Sequence, residues 1–138
     1  MQSDVTRFLV SEDISIREVV SRADVNRSGI MLVVDDDQRL VGTVTDGDVR
    51  RAILADISLE EPVRRLLVAK AGSAFPKPIT APVRTDRSTL LRLFQAHGIS
   101  HLPLVDQDQR VVGLRMLSEV VTDEPAQLQA VIMAGGLG

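Results

Sequence analysis

Between Gly42 and Asp48 the chain reads Gly-Thr-Val-Thr-Asp-Gly-Asp, and this stretch joins a residue pattern typical of a strand to one typical of a helix. A carboxylate such as Asp48 at a helix start can accept hydrogen bonds from both cis hydroxyls of a ribose, while the Thr45 hydroxyl and the free N–H groups of the first turn face a phosphate. The same spacing also suits a helix cap, with Thr45 at the N-cap and an acid three residues later favouring the helix dipole. One pair of residues can serve both purposes.

The other chemistry-bearing residues carry less. Asp35-Asp36-Asp37 has the composition of a cation site, but Asp is equally favoured in turns, where it bonds its own backbone. His97 precedes Gly98 at the expected end of a helix, where a cation suits the dipole. His101 reads either as a ligand contact or as a half-buried strand residue. Arg50 and Arg51 could reach a phosphate from the first turns of their helix, although adjacent arginines there usually face solvent. No grouping of Ser, His and Asp and no pair of poised carboxylates is evident, so no catalytic residue and no metal site are expected.

The composition narrows the partners. The 138 residues carry a net charge of −3, with acids and bases interspersed, and only Phe8, Phe75 and Phe94 are aromatic. Neither a basic track nor a stacking platform for nucleic acid is present. With no cysteine, disulfides and thiolate zinc sites are excluded, which suits a reducing cytoplasm. No run approaches the roughly 20 apolar residues needed to cross a bilayer, so no membrane partner is expected.

The elements that position the Thr45–Asp48 turn are organised by a repeat. Val34-Asp35-Asp36-Asp37-Gln38-Arg39-Leu40-Val41-Gly42 recurs as Val105-Asp106-Gln107-Asp108-Gln109-Arg110-Val111-Val112-Gly113, identical at seven of nine positions and displaced by 71 residues. This is a duplicated supersecondary unit. In the first copy, Ile16, Val19, Val20 and Ala23 form a helical stripe capped by Ser15 or Asp13. Strands are predicted at 30–34 and 40–44, with a hairpin turn between them, then a helix over 46–54 with Val49 and Ile53 inward. In the second copy, Leu90, Leu91 and Phe94 mark the helix, Gly98 stops it, strands follow at 101–105 and 111–115, and a short helix begins near Leu117. The join, Ser58 to Pro82, holds a helix start at Glu60-Glu61-Pro62 and an extended stretch forced by Pro76, Pro78 and Pro82. The expected fold is α/β (α+β), with two helix-strand-strand-helix units about a pseudo-twofold axis. Packed together they cover sheet faces that a unit of about 60 residues would leave bare.

The duplicated unit, the Val-Val-Asp strand ends and the Gly-x-x-Thr-x-x-Asp turn resemble a tandem pair of cystathionine-β-synthase (CBS) domains, over about residues 5 to 123. The resemblance implies repeats at 5–57 and, with the linker, 58–123, and an adenosine ligand (AMP, ADP, ATP or S-adenosylmethionine) in a cleft between them. Carried over, the site joins Thr43, Thr45 and Asp48 to Ile79, Thr80, Ile99, Ser100 and His101. Asp48 would hold the ribose, Ile79 and Ile99 the adenine, the backbone near Ser100 its edge, and Thr45 with His101 the phosphate side. The mate cleft departs from the family pattern, with Met116 and Glu119 in place of Thr45 and Asp48. An unpaired ribose hydroxyl there costs about 1–3 kcal/mol, or about 5- to 150-fold in affinity, so one working site per chain is expected. Dimerisation through helical faces is a further implication, and a ligand-free dimerisation scaffold is the alternative function. No obligatory cofactor is implied.

Finally, Val131-Ile132-Met133-Ala134-Gly135-Gly136-Leu137-Gly138 resembles the first strand and glycine loop of sugar-nucleotide nucleotidyltransferases such as mannose-1-phosphate guanylyltransferases. Residues 124–138 are therefore expected to be a linker and the truncated start of such a domain. The chain itself would be its regulatory part.

Overall fold

The computed structural model describes residues 5–27, 29–71 and 78–122. After a 3-10 turn at Val5–Phe8 come β1 (Leu9–Ser11), α1 (Ile16–Asn26), β2 (Ile30–Val34), β3 (Leu40–Thr45), α2 (Asp46–Leu54) and α3 (Val63–Ala71). The second half follows with β4 (Ala81–Pro82), α4 (Arg87–His97), β5 (His101–Val105), β6 (Val111–Met116) and α5 (Leu117–Thr122). The strands form two three-stranded sheets, ordered β1-β2-β3 and β4-β5-β6, each with a parallel first pair and an antiparallel hairpin.

The 71-residue displacement extends from the hairpins to the helix ends. Ser15 caps α1 by accepting the amide of Glu18, and Asp86 caps α4 by accepting that of Thr89. Both helices end on a left-handed residue, Arg27 (φ 55°) and Gly98 (φ 61°), whose amide returns to the carbonyl of Ala23 or Phe94. The hairpin turns also match. Asp35 Oδ1 accepts the amides of Asp37 and Arg39 at 2.9 Å, and Asp106 Oδ1 accepts those of Asp108 and Arg110. Gln38 and Gln109 each stand at φ 67°, and a bulge follows in register between Val33 and Val34 and between Leu104 and Val105. The acidic run of the first repeat is thus engaged in turn chemistry.

Each repeat has its own core. Val10, Ile16, Val19, Met31, Val33 and Val44 form the first, and Ala81, Leu90, Phe94, Leu102, Leu104 and Val120 the second. A third cluster lies between them, in which Val5, Phe8, Ile30 and Leu32 meet Val111, with Leu114 and Met116 packed against it. The hairpins close over this seam. Gln38 accepts the Val111 amide and donates its side-chain N–H to the Val111 carbonyl, both at 2.9 Å. Arg39 pairs with Arg110 in an isolated bridge and donates to the Asp108 carbonyl.

The structure departs from the helix-strand-strand-helix reading in that each unit opens with an additional short strand. With three and two residues, β1 and β4 are too short to show alternation. The inward face of α2 also differs: Asp48 and Ala52 are buried, with Val49 packed beside them, whereas Ile53 is 52% exposed. Val20 of α1 likewise lies at the rim, leaving Ile16 and Val19 to fill the core. The segment counted with the linker supplies α3, whose Val63 and Leu66 are buried in the first core. It is tied to the start of α1, where the free amides of Ile16 and Arg17 donate to the carbonyls of Glu61 and Leu59. The Arg64 guanidinium meets the Asp13 carboxylate there.

Candidate functional site

The site is built from the junction of β3 and α2. Thr45 is extended (φ −113°, ψ 171°) and ends β3, and its hydroxyl accepts the Asp48 amide at 3.3 Å. Asp48 reaches back, its Oδ2 accepting the Thr45 amide at 2.9 Å and hydroxyl at 3.1 Å. This reciprocal cap satisfies two first-turn donors at once and fixes the carboxylate at the helix N-terminus. The capping reading of Thr-x-x-Asp is thus realised, with the Asp48 carboxylate held at the start of α2.

Two cations complete the surroundings of Asp48. Lys70 Nζ of α3 lies 2.8 Å from Oδ2, and also donates to the carbonyl (3.0 Å) and hydroxyl (3.3 Å) of Thr43. Arg51 Nη2 lies 2.7 Å from Oδ1. Burial of Asp48, only 5% exposed, favours its protonated form. That effect is outweighed by the Lys70 hydrogen bond, the Thr45 amide and Arg51, which hold its pKa below the ordinary 3.8. A cleft of about 210 Å³ opens beside this group, with Asp48, Arg51 and Lys70 polar among Ala52, Ala55 and Leu66.

Sequence reasoning missed Lys70. Its signal was the spacing Val63, Leu66, Leu67, Lys70, which continues the inward stripe of α3 and places a cation where an apolar residue is expected. Gly42 lets the helix come close, since a Cβ there would lie 2.8 Å from Leu67 Cδ2.

The remaining predicted residues form a second group. Ile79 and Ile99 both pack on the core of the second repeat. The exposed Ser100 accepts the Leu117 amide through its carbonyl at 2.9 Å, which ties it to the start of α5, and its hydroxyl lies 3.3 Å from His101 Nδ1. Half-buried His101 pairs with Met116 across the β5–β6 hairpin, and Thr80 is half-buried just ahead of β4. The structure thus brings Thr43, Thr45 and Asp48 together on the first repeat, and gathers Ile79, Ile99, Ser100 and His101 on the second.

At the symmetry-related turn, Glu119 Oε1 accepts the Met116 amide at 3.2 Å, but Met116 has no side-chain oxygen to complete the cap. Among the described residues, no group of three or more His, Cys, Asp or Glu is placed to hold a metal ion, and no helix is long and apolar enough to cross a membrane. The glycine-rich segment within 124–138 lies outside the described residues.

The family model of the CBS domain matches residues 1–55 and 73–114. An uncharacterized protein of Helicobacter pylori is 30% identical over 113 residues, covering 82% of this chain and 32% of that protein. The arabinose 5-phosphate isomerase KpsF of Escherichia coli is 29% identical over 114 residues, covering 83% of this chain and 32% of the isomerase. The chain therefore spans about a third of the length of these curated relatives. A CBS domain protein from Pyrobaculum aerophilum, solved in complex with AMP, superposes with a TM-score of 0.70 over 88% of each chain at 23% identity.

Proposed function

The chain belongs to the CBS-domain family, and from that premise we propose that it is a regulatory module that binds an adenosine nucleotide between its two repeats. The observation that carries this reading is the Asp48 carboxylate, held at a strand-to-helix turn by a complete capping box with free helix N–H groups beside it. In this role Asp48 accepts the ribose hydroxyls, Thr43 and Thr45 line the ribose and phosphate side, and His101 approaches the phosphate from the second repeat. Ile79, Ile99 and the neighbouring Thr80 enclose the adenine, whose edge is read by the backbone at Ser100. The AMP held by the Pyrobaculum protein supports this ligand class.

The module acts on an enzyme to which it is joined. A relative in which the matched region is a third of a sugar-phosphate isomerase supports such attachment, and the Ala134-Gly135-Gly136-Leu137-Gly138 sequence points to a sugar-phosphate nucleotidyltransferase as the enzyme in this case. Control requires the ligand to bind one packing of the two repeats more tightly than the other.

A second reading, a dimerisation scaffold without ligand, is favoured by the exposed apolar residues Val20 and Val25 on α1 and Ile53 and Leu54 on α2. Calorimetric titration with AMP, ATP and S-adenosylmethionine separates the two. The expected outcome is saturation at one adenosine ligand per chain, because Met116 and Glu119 offer the mate cleft only half of the polar set. Absence of heat with all three, in a chain that sediments as a dimer, would leave the scaffold.

A further inference from the structure

The carboxylate assigned to the ribose is already occupied. Asp48 Oδ2 accepts from the Thr45 amide, the Thr45 hydroxyl and Lys70, and Oδ1 accepts from Arg51. Its side chain is 4% exposed. A diol arriving from solvent meets a closed group: Oδ1 is freed when the exposed Arg51 turns away, but Oδ2, which already accepts three hydrogen bonds, can take a hydroxyl only when Lys70 leaves.

The cations differ in what holds them. The Arg51 side chain is 66% exposed, so its guanidinium can turn to water, although the carboxylate it meets is only 4% exposed. Lys70 is 18% exposed, stands on the inward stripe of α3, and binds Asp48 Oδ2 together with the carbonyl and hydroxyl of Thr43. It therefore covers two of the residues proposed to line the ribose.

Resting on the nucleotide reading above, the geometry points to Lys70 as a built-in competitor for the ribose subsite, an ammonium that occupies Asp48 and Thr43 in the empty protein and is displaced when an adenosine ligand binds. The displacement is transmitted. Lys70 lies in the last turn of α3, the final described element before the chain passes to the second repeat at β4. When its ammonium leaves Asp48 and Thr43, that turn loses its polar anchor on β3 and stays attached through Val63, Leu66 and Leu67. Ligand binding in the cleft thereby loosens the element that leads from one repeat to the other, and the ligand affinity is lowered by the fraction of molecules in which Lys70 is closed.

The test uses adenosine, which carries the diol but no phosphate to which a freed ammonium could turn. Lys70→Met keeps an unbranched apolar side chain on the stripe and leaves Asp48 its capping donors and Arg51. The variant is expected to bind adenosine about tenfold more tightly than the parent chain, whereas Lys70→Arg, which retains a cation, stays near the parent value. Hydrogen exchange of the amides of the last turn of α3 is expected to speed up on adenosine binding in the parent chain and to change little in Lys70→Met. Lys70→Gln serves if the methionine variant loses its far-UV dichroism. Equal or weaker binding by both neutral variants would overturn the competitor role and leave the nucleotide reading standing. If neither the parent nor any variant bound adenosine or AMP, both would fall together.

Discussion

One carboxylate at the β3–α2 turn neutralises two cations while completing a helix cap, so the consequences of removing it divide by chemistry. Asp48→Ala leaves the largely buried Lys70 ammonium without its counter-charge and deletes one arm of the capping box. The expected loss is about 3 kcal/mol in a urea titration, so any effect of that variant on the proposed nucleotide binding must be separated from loss of fold. The pH dependence has a definite sign. The pKa of Asp48 is depressed, as is that of Asp86, where the Thr89 hydroxyl and amide stabilise the charged N-cap. A depressed carboxylate contributes stability above its unfolded pKa, near 3.8, and loses it as the pH falls through the lower folded value. The urea midpoint should therefore hold from neutral pH down to about pH 4.5 and decline below about pH 4. The decline should be shallower in Asp48→Asn. A midpoint that falls between pH 7 and 5 instead would assign the acid sensitivity to other groups. The Thr45–Asp48 pair was legible in the sequence because a capping box is a local pattern. Lys70 lies 22 residues beyond Asp48 on another helix, and local spacing does not report which turn an inward lysine will face.

At the scale of elements, the two repeats serve as controls for one another. Helix α1 ends on Arg27 at φ 55°, and helix α4 ends on Gly98 at φ 61° in the equivalent place. A left-handed conformation crowds the Cβ of arginine and not glycine. Arg27→Gly is therefore expected to stabilise the chain by about 0.5–1 kcal/mol, through relief of the C-cap. Gly98→Arg should destabilise it by a similar amount. Thermal melting of both variants checks the pair, and a fall in stability with Arg27→Gly would mean that the Arg27 side chain makes a contact worth more than the relieved cap strain. These element ends were readable in advance: Ser15 as a cap, Gly98 as a stop, and the strands at 30–34 and 101–105 follow from patterns confined to a few neighbouring residues. What escaped reading depends on tertiary placement. β1 and β4 exist because a hairpin edge offers them backbone partners. Ile53 is exposed because the face of α2 is set by the anchoring of Asp48 and Ala52, one position around the helix from the apolar pattern.

At the scale of the whole molecule, the seam between the repeats is apolar and buried. Leu32 and Val111, on opposite repeats, have no exposed surface at all. Neither repeat can then unfold without exposing the other's apolar face, and the chain is expected to melt in a single calorimetric transition. Val111→Ala should cost about 2 kcal/mol while that single transition persists. Two separated transitions in the parent chain would mean that the repeats are independent. The seam is also polar at one point, where the two hairpin turns meet. The left-handed Gln38 presents both its carbonyl and its side-chain amide to the backbone of Val111. Side-chain recognition of a backbone is indifferent to what the partner's side chain is, so that latch holds the halves in register whatever sequence drift alters their apolar contacts. A chain severed between Ala71 and Pro78 would still carry matched surfaces on both pieces. The pair thus meets like two small proteins that share one polypeptide, with the N-terminal turn supplying part of the fit and the hairpins fixing its register.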